Sequence, residues 1–124
     1  MRILLFLLIA TSAWGQKDTA YWNHIYHPQR LIFIKADTTL TGTVLKEISE
    51  GDGDYHVLIM TDDSTKIDVE IICAFKQKNR ICSGYKNKIP VPRKGMRVEV
   101  FGDYVFDNKH KWPEIHPVKN IKIL

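Results

Sequence analysis

The chain predicts an all-β domain of five short strands, on three observations. Apolar residues alternate at period two, most clearly Met96, Val98 and Val100 against Arg97, Glu99 and Phe101. Turn-forming clusters, Glu50-Gly51-Asp52-Gly53 and Asp107-Asn108 among them, cut those stretches into strand-sized pieces. The 124 residues, less a leader, give room for one domain with one small core.

The leader is residues 1–15, read as a signal peptide. Arg2 supplies a minimal positive charge, and Ile3 to Ala10 is an apolar run too short to span a bilayer. Ala13 and Gly15 then place small residues on the near side of a cut before Gln16. The expected mature chain, Gln16 to Leu124, is exported, either periplasmic or secreted. It has no cysteine at its start to carry a lipid and no later stretch that would serve as a transmembrane anchor.

Residues 16–29 form an N-terminal arm rich in aromatics (Tyr21, Trp22, Tyr26) and histidines (His24, His27), expected to lie on the outside of the domain. The domain proper is 30–124. Its first strand system runs from Arg30 to Ile48, with Leu40, Gly42, Val44 and Ile48 on one parity and Thr39, Thr41, Thr43 and Glu47 on the other. Gly42 marks a place where a coiled strand bends.

Asp54 to Met60 and Lys66 to Ala74 form a hairpin across Thr61–Thr65. Its register is constrained, because Val57 and Ile59 must share a buried face with Ile67, Val69 and Ile71. Odd residues then oppose odd ones, and the other face groups Asp54, His56 and Leu58 with Asp68, Glu70 and Ile72. His56 and Glu70 become cross-strand neighbours.

Phe75 to Lys88 is a basic connector, irregular or with one or two helical turns, closed by Pro90, Pro92 and Gly95. The fourth strand is interrupted at Gly102 and resumes at Tyr104 to Phe106. In the fifth, Trp112, Glu114 and His116 share one face, with Ile115 opposite, and Pro117 implies a bulge or edge before Ile121 and Ile123. A three-strand meander, an irregular connector and two further strands fit a small five-stranded OB-type Greek-key barrel. A sandwich wants about seven strands, more than this length supplies.

The motifs Gly51-Asp52-Gly53-Asp54-Tyr55-His56, Glu70-Ile71-Ile72-Cys73, Pro92-x-x-Gly95, Gly102-x-Tyr104-Val105-x-Asp107 and His110-x-Trp112-x-Glu114-Ile115-His116-Pro117-Val118 span nearly the whole mature chain. With Arg30-Leu31 and Thr41-Gly42-Thr43-Val44 they resemble a family of small exported bacterial OB-fold-like proteins of uncharacterised function. The pair DGDxH and WxEIHPV is the specific part. The resemblance implies the fold and the exported setting and brings no substrate.

Chemistry-bearing side chains concentrate in those motifs. His56, Glu70, Glu114 and His116 are expected in one polar cluster, with Asp54 or His110 at its margin and Trp112 covering it from water. A fifth strand returning beside the first strands would bring the second pair to the first. One reading is a hydrogen-bonded network that sets strand register. The alternative is a divalent metal such as zinc on His56, Glu70, Glu114 and His116, serving binding or metal-dependent hydrolysis. The spacing matches no metal signature. No catalytic residue is assigned, because no nucleophile, phosphate loop or cofactor fingerprint is present and no cofactor is required.

Charge is unevenly spread. Asp37 to Glu70 holds nine acidic residues against two lysines, and Ile71 to Val98 holds eight basic residues and no acid. Single-stranded nucleic acid would need aromatics interleaved with basic residues on the hairpin, where only Tyr55 stands, in acidic surroundings. The expected function is therefore binding of, or interaction with, a ligand or protein that the sequence does not name.

The two cysteines, Cys73 and Cys82, are expected to form a disulfide in an exported chain. Two buried thiols, or one buried and one free, are the rival arrangements.

Overall fold

The computed structural model describes residues 15–75, 81–82, 85 and 87–124. The leader residues 1–14, and Lys76, Lys78, Arg80, Gly84 and Lys86 of the basic connector, lie outside the described residues. A short helix, α1 (Thr19–Trp22), is capped by the Asp18 carboxylate, which accepts from the amide of Ala20 at 2.9 Å. A single 3₁₀ turn, Pro28–Arg30, leads into the first strand.

Five strands follow: β1 (Leu31–Ser49), β2 (Tyr55–Thr61), β3 (Lys66–Ile71), β4 (Arg97–Asp107) and β5 (Trp112–Ile123). They make one sheet that closes in a ring in the order β1-β2-β3-β5-β4. β1 closes it: its first part pairs with β4 and its second with β2, overlapping at Gly42 and Thr43. A Cβ on Gly42 would run into the Met60 carbonyl, so only glycine lets the strands approach here.

The hairpin has the odd-to-odd parity that burial demands. Val57 opposes Val69, Ile59 opposes Ile67 and His56 opposes Glu70. β3 and β5 are parallel, with Asp68 opposite Glu114 and Val69 opposite Ile115. β5 thus lies beside β3 and β4, not beside the start of the meander as the sequence reading expects.

The interior is filled by Val44, Val57, Ile59, Val69, Ile71, Val98, Val100, Ile115 and Val118, each at most 1% exposed. Each such side chain contributes about 1.5–3 kcal/mol by leaving water. A second apolar cluster, of Trp22, Ile25, Leu31, Ile72, Cys73 and Val105, joins the N-terminal arm to the domain. The arm is therefore a structural cover.

Two parity expectations fail, the first of them at a backbone bulge. The β1–β2 register shifts between Val44 and Lys46, so Ile48 turns outward to pair with His56 and is 42% exposed. At the chain end Ile121 is buried and Ile123 is 47% exposed. The connector residues described, between β3 and β4, contain turns but no helix, so its irregular form is the one observed there. The Cys73–Cys82 disulfide is present, with Cα atoms 5.7 Å apart, and it pins the connector to the end of β3. No helix among the described residues is long and apolar enough to cross a membrane.

Candidate functional site

The β2–β3 register and the parallel β3–β5 pairing bring His56, Asp68, Glu70, Glu114 and His116 together on the outer face of the ring. A bulge in β5 completes the approach. Three β5 steps, from Ile115 to Val118, oppose two in β4, from Tyr104 to Gly102, so Glu114, Ile115, His116 and Pro117 are all buried instead of alternating.

Glu70 bridges the two imidazoles. One of its carboxylate oxygens lies 3.2 Å from His56 Nδ1 and the other 3.2 Å from His116 Nδ1. His56 Nδ1 is also 2.7 Å from Asp68 Oδ2, and His116 Nδ1 is 3.2 Å from Glu114 Oε2. Because carboxylates accept, the Nδ1 of each ring is the donor. The second oxygen of Glu114 accepts from the Trp112 indole N–H at 2.7 Å. Trp112 covers Glu114, which is 1% exposed, while remaining 45% exposed itself.

Asp54, 4% exposed, closes the inner side. Its Oδ1 accepts from the amide of Cys73 at 2.9 Å. His110 stands at the margin: its Nδ1 pairs with Asp107 Oδ2 at 2.7 Å, and its ring stacks on Trp112 with centroids 4.9 Å apart. All seven residues named from the sequence thus belong to one neighbourhood, in which His56, Glu70, Glu114 and His116 interact through side chains. Asp68 and Asp107 are not in the sequence-derived site. Asp68 was legible by parity, two residues before Glu70, whereas Asp107 reads only as a turn residue.

Electrostatics follow from burial and crowding. Burial pushes the Asp54 carboxyl up to about 6, only partly offset by the Cys73 amide. Burial likewise drives Glu70 up, to about 8, against the pull of the two imidazoles. Burial lowers both histidines, but it is outweighed: Asp68 and Glu70 hold His56 at about 9, and Glu70 and Glu114 hold His116 at about 9. The direction common to all four groups is upward, and protons are shared between Glu70 and the imidazoles as one coupled set.

One buried atom stands apart. His116 Nε2 has no hydrogen-bond partner among the described residues, although the residue is only 5% exposed. An unmet buried polar atom costs about 1–3 kcal/mol. Among the described residues, three sets of donors have the spacing to hold a metal ion: Asp54, Glu70 and His116; His56, Asp68 and Glu70; and Asp107, His110 and Glu114. Within each, one atom per residue lies within 4.8 Å of the others.

Two clefts adjoin the cluster and share Glu50, His56 and His110. One, of about 260 Å³, is lined by Asp52, Asp54, Glu70 and His116 and reaches Arg30 and His27. The other, of about 430 Å³, lies over β2 and β3. There Ile48, Leu58, Trp112 and Pro113 make apolar walls, with Lys46, Lys66 and Asp68 among the polar residues. No family model and no curated protein matches this chain.

Proposed function

We propose that the ring is an OB-type Greek-key barrel and that the chain is an exported, non-catalytic binding module whose ligand lies over β2 and β3. The strand order β1-β2-β3-β5-β4, with β3 and β5 parallel, supports the fold reading. OB folds bind on the face of strands 2 and 3, between the loops that follow strands 1 and 4. That link to function is an analogy between folds. The leader-like order of residues 1–15 and the Cys73–Cys82 disulfide support an oxidising setting outside the cytoplasm.

The observation that carries the reading is the cleft of about 430 Å³ walled by the half-exposed Trp112. The indole N–H is committed to Glu114 and the ring is braced by His110, so Trp112 is a rigid apolar platform. A ligand with a flat apolar ring face fits it. Two lysines, Lys46 and Lys66, and two acids, Glu50 and Asp68, line the cleft, a balance that does not suit a polyanion such as single-stranded nucleic acid. Arg97, from the basic half of the chain, is already paired with Asp62 at 2.7 Å.

A fragment screen followed by amide NMR tests the reading. Ring-bearing fragments should perturb the Trp112 indole and the amides of Lys46, Leu58 and Lys66, and W112A should abolish those shifts. Hits clustered on another surface, unaffected by W112A, would overturn it.

A further inference from the structure

We propose that the ligand is a neutral oligosaccharide, held as neighbouring sugar units, one on Trp112 and the next on Tyr26. This deepens the reading of the Trp112 cleft as the ligand face and rests on it. The second aromatic brings the N-terminal arm into the site.

Tyr26 is 47% exposed and Trp112 is 45% exposed. Each lines one of the two clefts, of about 260 and 430 Å³, and those clefts meet at Glu50, His56 and His110. Together they suit a small organic ligand longer than a single ring. Tyr26 does not anchor the arm, which is seated through Trp22 and Ile25. Large aromatic rings left in water along one continuous groove mark a surface that something covers. One face of Trp112 is taken by His110, with ring centroids 4.9 Å apart and planes 12° from parallel. The opposite face is the one a ligand meets.

The polar groups around the rings decide which flat ligand fits. The side chains of Arg30, Lys46, Glu50 and Lys66 line the clefts and form no hydrogen bond or ion pair among the described residues. Asp68 gives Oδ2 to His56 and keeps Oδ1 without such a partner. A pyranose presents C–H groups on its faces and hydroxyls around its rim. The face matches an indole or phenol ring, while hydroxyls both donate and accept and so serve lysines and carboxylates alike. A wholly aromatic ligand would displace water from those side chains without replacing its hydrogen bonds. Along the two clefts carboxylates outnumber the three permanent cations, Arg30, Lys46 and Lys66. Uronic or sulfated sugars are therefore repelled, and a neutral glycan is selected.

The test titrates ¹⁵N-labelled protein with neutral tetrasaccharides of glucose, mannose, galactose, xylose and N-acetylglucosamine, and with the matching monosaccharides. At least one tetramer should bind saturably and shift the Trp112 indole and the Tyr26 amide together. It should bind about tenfold or more tighter than its monomer, because it engages both rings. Y26A removes an exposed side chain, so the fold survives it. That variant should weaken the tetramer about tenfold and leave ring fragments at Trp112 unaffected. Fragments that bind beside Trp112 while no neutral tetramer binds overturn this inference and leave the reading of the cleft standing, whereas failure of both overturns both. Wild-type affinity in Y26A also overturns it. So does a polyuronate or an oligonucleotide that binds tighter than every neutral tetramer.

Discussion

The indole N–H of Trp22 donates to Asp103 Oδ2 at 2.7 Å, joining residues 81 positions apart. Asp103 is fully buried. Its other oxygen accepts from the amide of Asp37 at 3.2 Å and lies 3.1 Å from Lys119 Nζ. One carboxylate therefore ties the N-terminal arm, β1 and β5 to β4. D103A should cost about 3 kcal/mol, because it strands a buried indole N–H and deprives the Lys119 ammonium of its buried counter-ion. D103N, which keeps an acceptor, should cost less. Urea unfolding monitored by Trp fluorescence checks both, and a loss below about 1 kcal/mol for D103A would show that the arm is held by apolar contact alone.

The Cys73–Cys82 bridge closes a loop of sequence separation 9. Reduction, or the double replacement by alanine, should lower stability by about 2–3 kcal/mol, with the entropic account of that figure model-dependent. Thiol titration of protein never exposed to reductant should find no free thiol under denaturing conditions. Two reactive thiols there would contradict the bridge.

Gly102 sits where β4 meets the β5 bulge. A Cβ at that position would collide with the Pro117 carbonyl and with the Ile115 side chain. G102A should destabilise by about 1–3 kcal/mol as the bulge is forced away. The same displacement would loosen His116, so the His56 and His116 ring resonances of G102A should shift. A variant with wild-type stability and unshifted rings would mean that the bulge tolerates the methyl group.

The cluster also predicts the pH dependence of stability. Asp54, Glu70, His56 and His116 all have their protonated forms favoured by folding, at about 6, 8, 9 and 9. The folded state therefore binds more protons than the unfolded one from about pH 4 to 9. This contribution is fully present below the unfolded values and is lost as pH rises through the folded ones. The melting temperature should fall steadily between pH 5 and 9, and H56A should flatten the upper part of that slope. A melting temperature that is flat or rising over this window would contradict the arrangement.

The sequence by itself determined the local pairings. Val57 and Ile59 sharing a buried face with Ile67 and Val69 fix the parity of the hairpin, which makes His56 and Glu70 direct or diagonal neighbours, and the structure pairs them directly. Period-two alternation needs only neighbouring residues and one buried face, so it can be read along the chain. The tertiary structure decided what alternation cannot encode. Parallel pairing of β3 with β5 set Glu114 beside Asp68, a bulge buried His116 next to Glu114, and another bulge turned Ile48 outward. A bulge adds one residue without changing composition, and a parallel contact between residues 46 positions apart leaves no periodic trace. Asp103 shows the same limit. An acid in a strand reads as solvent-facing until an indole from the arm and an ammonium from β5 arrive to pair with it, and those partners exist only once the ring has closed.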